Sequence, residues 1–194
     1  YHEAINMAFA RIEQNMVVSS WTDSASSSLS RLEVNQYIEV PVNGCYKDRK
    51  WTEIDRDKID EGANRFFSIG GEHGWYYADS LWRLRGTLDK LLGGVGLSRG
   101  RRSKIDVEAG DTIDFWRVIL ADRKNYRLLL FAEMKLPGEA WLEFAIVNNE
   151  NRSILKQTAT FRPKGIMGRN YWYAMLPFHF FIFRNMLKRI AGKT

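Results

Sequence analysis

Four consecutive segments in the second half of the chain have the composition of β-strands joined by short turns. Apolar and β-branched residues dominate them, and turn formers such as Asp122, Pro137 and Gly138 separate them. The predicted strands span residues 111–121, 126–135, 139–147 and 153–162. Because consecutive strands with connections this short pair antiparallel, this part of the chain must form an antiparallel meander.

The third of these strands alternates in polarity. Its two faces carry different side chains, with Ala140, Leu142, Phe144 and Ile146 on one and Glu139, Trp141 and Glu143 on the other. On the preceding strand, Leu128, Leu130 and Met134 also alternate and give that strand an apolar face. The sheet is therefore expected to bury one face and to place carboxylates among aromatic rings on the other.

A helix is predicted over residues 166–191, after the last strand. Its apolar stretch, residues 171–183, contains Pro177, which removes one helical hydrogen bond and predicts a kink. The stretch is too short to span a bilayer, so we expect it to be buried against the sheet. The alternative is a helix lying in a membrane surface, with Arg184, Lys188 and Arg189 at the headgroups.

The first half of the chain is less regular. Helical spacing of apolar residues predicts an amphipathic helix over residues 1–16, and a serine-rich linker follows up to residue 30. Residues 32–42 alternate as an edge strand would, ending near Pro41. Residues 50–67 predict one or two short helices, and residues 75–92 predict another that ends at Gly93.

Four ordered segments carry a resemblance to a known family. They are GWYYADSLWRLRGTLDKLLGG from residue 74, DFWRV from 114, EMKLPGEAWLEF from 133 and YWYAMLPFHFFIFRNML from 171. Over residues 34–190 the chain resembles an uncharacterised bacterial domain that forms the C-terminal part of NAD(P)-binding, nucleoside-diphosphate-sugar-epimerase-like proteins. The resemblance implies an α+β helix-grip fold of the START and polyketide-cyclase type, with a curved antiparallel sheet around a long C-terminal helix.

That resemblance also implies a domain organisation. Residues 31–194 are expected to form the helix-grip domain, and residues 1–30 the tail of an upstream NAD(P)-binding domain. No glycine-rich dinucleotide fingerprint occurs in this sequence, so the chain itself is expected to bind no cofactor. In helix-grip domains the space between sheet and helix usually holds an apolar ligand.

Composition limits the other classes of function. The net charge is +6, but the central strands are acidic and apolar and present no basic, aromatic face, so nucleic-acid binding is disfavoured. His2, His73 and His179 fall on separate elements without metal-ligand spacing, so no metal site is expected. A single cysteine, Cys45, fits a reducing compartment, and a cytoplasmic location is expected.

Aromatic residues are the candidate ligand-binding groups, because aromatic rings bury a large area and keep a polar edge. The candidates are Trp75, Tyr77, Trp82, Trp116, Phe131, Trp141, Tyr171 and Phe178. Simple core packing is the alternative for each of them.

Three residues are candidates for acid or base chemistry: Glu133, Glu143 and His179. A carboxylate among aromatic rings, or a helix-borne histidine facing a cavity, can exchange a proton with a ligand. The alternatives are cross-strand ion pairs, with Arg83, Arg85 and Arg117 as partners, and a core histidine.

The hypothesis from sequence is that this domain binds a small apolar or lipid-like ligand and works beside an NAD(P)-binding domain. Two alternatives remain. In the first, the domain presents substrate to the neighbouring cofactor or performs acid–base catalysis in an NAD(P)-dependent enzyme. In the second, it is an interaction module that forms a homodimer through its aromatic patches.

Overall fold

The computed structural model describes residues 39–70, 73–91, 93–96, 98–100, 107–148 and 152–193, the main chain alone at 98–100. The predicted N-terminal helix and serine-rich linker, residues 1–30, lie outside the described residues, as does most of the strand predicted at 32–42. Residues 39–42 are not in a strand.

In the part of the chain that the structure describes, seven strands form one antiparallel sheet in the order β1-β7-β6-β5-β4-β3-β2. The strands are β1 (Tyr46–Ile54), β2 (Ser98–Gly100), β3 (Thr112–Asp114), β4 (Trp116–Asp122), β5 (Arg127–Ala132), β6 (Gly138–Asn148) and β7 (Ser153–Pro163). The run from β4 to β7 pairs each strand with its successor, so the predicted meander is confirmed.

Among the described residues, three α-helices accompany the sheet: α1 (Ile59–Phe67), α2 (Asp79–Leu91) and α3 (Gly165–Ile190). A 3-10 turn at Arg56–Lys58 leads into α1. Helix α3 continues through Pro177 and lies across β7 and β1 at one side of the curved sheet. The predicted helix-grip architecture is confirmed.

One aromatic stack fastens α3 to the sheet. The indole of Trp172 lies 5.7 Å from the ring of Tyr46 on β1 and 5.9 Å from the ring of Phe161 on β7, nearly parallel to both. Further along α3, Met186 and Ile190 are fully buried in the main core with Phe144 and Leu142 of β6. The helix is therefore held near both of its ends.

The sheet buries apolar residues on both faces. The concave face carries the main core, which includes Leu128, Leu130 and Phe144. The other face carries a second cluster of Ile119, Leu129, Phe131 and Trp141, hereafter the outer cluster. The predicted alternation is present, and on its outward phase Trp141 is buried while Glu139 and Glu143 are partly exposed.

Carboxylates at the two ends of α2 fix that helix in place. At its N-terminus, Asp79 Oδ1 accepts a hydrogen bond from the main-chain N–H of Trp75 at 2.7 Å. At its C-terminus, the buried Asp89 accepts the main-chain N–H groups of Gly96 at 2.9 Å and Lys135 at 2.8 Å. Since Lys135 follows β5, the bond to Asp89 ties α2 directly to the sheet.

The apolar stretch at residues 171–183 is less buried than predicted, because α3 turns one side to solvent. Tyr173, Phe180 and Phe181 on that side are 59%, 59% and 54% exposed.

Two predicted elements were wrong in detail. The single strand predicted at 111–121 is a hairpin, because Asp114 adopts a φ of +51° and β3 folds back on β4. The Asp114 carboxylate accepts the indole N–H of Trp75 at 2.7 Å at this turn. The helix predicted from residue 50 begins only after Ile54, because residues 46–54 pair along β7 as an edge strand.

Replacing Gly168 with alanine is expected to destabilise the protein by about 1–3 kcal/mol, although alanine favours a helix by about 1 kcal/mol. A Cβ there would collide with the carbonyl oxygen of Pro137 and lie 2.9 Å from Cα of Pro163, so α3 would have to move off the sheet. Urea unfolding measures the effect. Asn170→Ala, at an exposed position on the same helix, is the control, and equal stabilities of the two variants would contradict the expected collision.

Candidate functional site

A cavity of about 280 Å³ lies between α2, the concave face of the sheet and α3. Helix α2 lines it with Leu81, Trp82, Leu84, Arg85 and Leu88. The sheet and its turns contribute Phe115, Trp116, Met134, Leu136, Ala140, Ala159 and Phe161. Helix α3 contributes Tyr171, Trp172, Met175, Phe178, His179, Ile182 and Phe183. The walls are therefore almost wholly apolar and aromatic.

The cavity opens to solvent between α2 and α3. Leu84, Leu88 and Phe178 all line it, yet they are 55%, 49% and 51% exposed. Isolated exposed apolar side chains are ordinary, but these three meet at the mouth of one cavity. They form an apolar rim through which a small molecule can pass.

Arg85 brings a charged group to the cavity wall. Its Nη2 donates to the hydroxyl of Tyr171 at 2.7 Å and to Sδ of Met134 at 3.2 Å, and its Nη1 lies 3.8 Å from Sδ of Met175. The guanidinium also sits 5.4 Å from the centre of the Tyr171 ring. Burial raises the pKa of Tyr171, which the neighbouring Arg85 partly offsets. Tyr171 is therefore a neutral hydroxyl at pH 7.

His179 brings an uncharged imidazole to the same cavity. Burial lowers its pKa to about 4, although Asp48 opposes the shift from 3.9 Å away, while Lys50 and Arg85 add to it. The ring stacks on Phe183 at 4.5 Å and meets the edge of Trp172 at 5.3 Å. At pH 7 the imidazole is therefore neutral and fixed by aromatic contacts.

The structure brings several of the predicted aromatic residues to one place. Trp82, Trp116, Trp141, Tyr171 and Phe178 all border the cavity. Trp141 does so from the far side of the sheet: its ring contacts Phe131 in the outer cluster, so strand alternation leaves mainly its main chain to the cavity.

Three predicted aromatic residues lie away from the cavity. Trp75 is buried behind Trp82, with ring centres 4.4 Å apart. Tyr77 contacts Phe181 and the guanidinium of Arg189 at the far end of α3. Phe131 belongs to the outer cluster. None of these three residues lines the cavity.

The candidate acid–base residues do not converge. Glu133 pairs with Arg117 at 2.7 Å, with both side chains about 5% exposed or less, and Glu143 pairs with Arg127 at 2.6 Å. Burial raises the pKa of Glu133, and the hydrogen bond from Arg117 opposes that shift. Both carboxylates share the strand phase of the outer cluster, so His179 alone of the three candidates lines the cavity.

Sequence reasoning missed the role of Arg85. It was expected to pair with an acidic residue of the sheet, whereas its described contacts are to Tyr171 and two methionines. A signal was available, because residue 85 lies four positions after Leu81 and three before Leu88 and so shares their helix face. The methionines that complete its surroundings come from distant parts of the chain and leave no such pattern.

No helix among the described residues is long and apolar enough to cross a membrane. The sequence profile of DUF2867, a family described as a protein of unknown function, matches residues 43–186. No curated protein matches the chain significantly.

Several solved structures are similar to this chain at low sequence identity. Truncated norcoclaurine synthase from Thalictrum flavum is 11% identical with a TM-score of 0.43, over 76% of this chain and 92% of that chain. Ara h 8.0201 is 12% identical with a TM-score of 0.41, over 77% of this chain and 100% of that chain. A member of the major latex protein family from Arabidopsis thaliana is 9% identical with a TM-score of 0.38, over 77% and 96%.

The low pKa of His179 predicts a loss of stability in mild acid. The unfolded chain takes up this proton near pH 6.5 and the folded chain only near pH 4, so the folded state is penalised as the pH falls between those values. Between pH 7 and pH 5 the cost is about 2 kcal/mol. His179→Phe keeps an aromatic ring and should lose this part of the pH dependence, measured by urea unfolding at both pH values.

Comparing the variant with the unsubstituted protein isolates His179, because carboxylates such as Glu133 titrate in both proteins. His73→Phe, at an exposed position, is the matched control and should retain the full pH dependence. Parallel stability curves for His179→Phe and the unsubstituted protein would contradict a neutral, buried His179.

Proposed function

Since this chain belongs to the DUF2867 family of proteins of unknown function, we propose its function from the cavity: it binds a small, largely apolar molecule between α2, the sheet and α3. The observation that carries the proposal is a solvent-accessible space of about 280 Å³ with apolar walls inside an otherwise densely packed core. Cavities of roughly 300 Å³ and above, with a few polar groups, are typical of small-molecule sites.

The size and the composition of the walls define the ligand class. A volume of about 280 Å³ is at the low end for ligand sites, so the ligand is a small molecule or a short lipid-like chain. Met134 and Met175 are flexible and polarisable, and methionines tolerate ligands of varied shape. The aromatic rings of Trp82, Trp116 and Trp172 offer flat surfaces to a planar group.

Binding is favoured over catalysis as the role of this chain by itself. Glu133 and Glu143 are engaged with arginines on the opposite face of the sheet, and Asp48, which lies 3.9 Å from Nδ1 of His179, is not among the residues that line the cavity. The catalytic alternative then requires a reactive group from elsewhere. Presentation of the ligand to the cofactor of a neighbouring domain satisfies that requirement.

The four-segment resemblance supports a partnership with an NAD(P)-binding, epimerase-like domain in a longer protein, and the single cysteine, Cys45, supports a cytoplasmic location. In that arrangement NAD(P) is bound by the partner domain and not by this chain.

The exposed Phe178, Phe180 and Phe181 on α3 support homodimer formation as a second candidate role. Light scattering over a range of concentrations tests it, and a mass that stays monomeric would count against it.

Filling the cavity is expected to abolish binding of a neutral apolar fluorophore. N-phenyl-1-naphthylamine, which brightens in apolar surroundings, is titrated into the chain and into Ala140→Leu, whose added side chain would project into the cavity from β6. We expect saturable binding to the first and at least tenfold weaker binding to the second.

Ala145→Leu is the matched control for that experiment. It lies on the same strand as Ala140, in the opposite side-chain phase, and is not part of the cavity lining. It should bind the fluorophore as the unsubstituted chain does. No saturable binding, or equal weakening by both substitutions, would sink the proposed function.

A further inference from the structure

Two residues that line the cavity carry a hydrogen-bond donor without an acceptor among the described residues. Trp82 and Trp116 line the cavity, and among the described residues the buried indole N–H of each has no partner. Nδ1 of His179 is also buried without a hydrogen bond in this part of the chain. An unpaired buried N–H destabilises a folded protein.

Arg85 adds a positive charge that the described residues do not neutralise. Within the described part of the chain no carboxylate forms an ion pair with it, and its acceptors are one hydroxyl and two thioether sulfurs. Sulfur is a weak acceptor, and a charge beside an apolar cavity is costly unless it is paired. The guanidinium therefore retains most of its capacity to bind an anion.

We propose that the ligand is an amphipathic monocarboxylate, whose carboxylate binds Arg85 beside the hydroxyl of Tyr171 and whose apolar body fills the space against α3 and the sheet. This inference rests on the proposed function and narrows its ligand class. A bound carboxylate would account for the presence of an arginine in a wall that is otherwise largely apolar.

The charge at the site favours a carboxylate over a phosphate. Among the described residues that line the cavity, Arg85 is the only lysine or arginine. A phosphate monoester carries about −1.5 to −2 charges at pH 7 and would remain under-neutralised by one guanidinium, whereas a carboxylate carries one. The planar fork of arginine also matches the two oxygens of a carboxylate.

Four probes with the same eight-carbon chain test the proposal: octanoate, 1-octanol, octylamine and octyl phosphate. Calorimetric titration into the 194-residue chain at pH 7.5 should show octanoate binding at least tenfold more tightly than each of the others. Arg85→Gln should remove the advantage of octanoate over octanol.

Two further variants make the test specific. Arg83→Gln removes a charge from an exposed position on the same helix, outside the cavity lining, and should leave the octanoate preference intact. Arg85→Lys keeps the charge without the fork and should retain a smaller preference, which also serves if Arg85→Gln does not fold.

The remaining outcomes separate this proposal from the proposed function. Octanol binding as tightly as octanoate, together with binding of N-phenyl-1-naphthylamine, would overturn the carboxylate but leave the apolar site standing. Tighter binding of octyl phosphate or octylamine would likewise overturn it. Failure of all four probes and of the fluorophore would overturn both.

Discussion

The stack of Trp172 between Tyr46 and Phe161 is the contact on which the rest of this structure depends. It sets the distance of α3 from the sheet at one end, while Met186 and Ile190 are packed directly into the core at the other. The aromatic rings hold the backbone of α3 away from the sheet at this end. The part of the helix between its two attachments therefore spans a gap. That gap is the cavity, so the packing that stabilises the fold also creates the site.

The cavity combines a largely apolar surface with a few polar side chains. Its surface is apolar enough to favour burial of hydrocarbon, yet it carries a guanidinium, a phenol and a neutral imidazole. Each of these groups is oriented by protein contacts before a ligand arrives: Arg85 by Tyr171, and His179 by Trp172 and Phe183. Such preorganisation reduces the entropy that a ligand must lose in finding its orientation.

The parts of the fold that local patterns specify were predictable from the sequence. Strands β5 to β7 and helix α3 followed from alternation and turn residues, because those features act between near neighbours. The hairpin at Asp114 was not predictable, since its positive φ occurs without a glycine and is accompanied by a bond to the distant Trp75. The alternation along β6 assigned Trp141 to the outer face correctly, but only three-dimensional packing shows that its ring is buried there in the outer cluster.

The attachment of α2 separates two tasks within one helix. Asp79 and Asp89 hold its ends through main-chain N–H groups, which are present whatever side chains occupy Trp75, Gly96 or Lys135. Leu84, Arg85 and Leu88, which line the cavity between those ends, take no part in these hydrogen bonds. During evolution the inner surface of this wall can change its chemistry while the wall itself stays in place, so one scaffold can serve relatives that recognise different molecules.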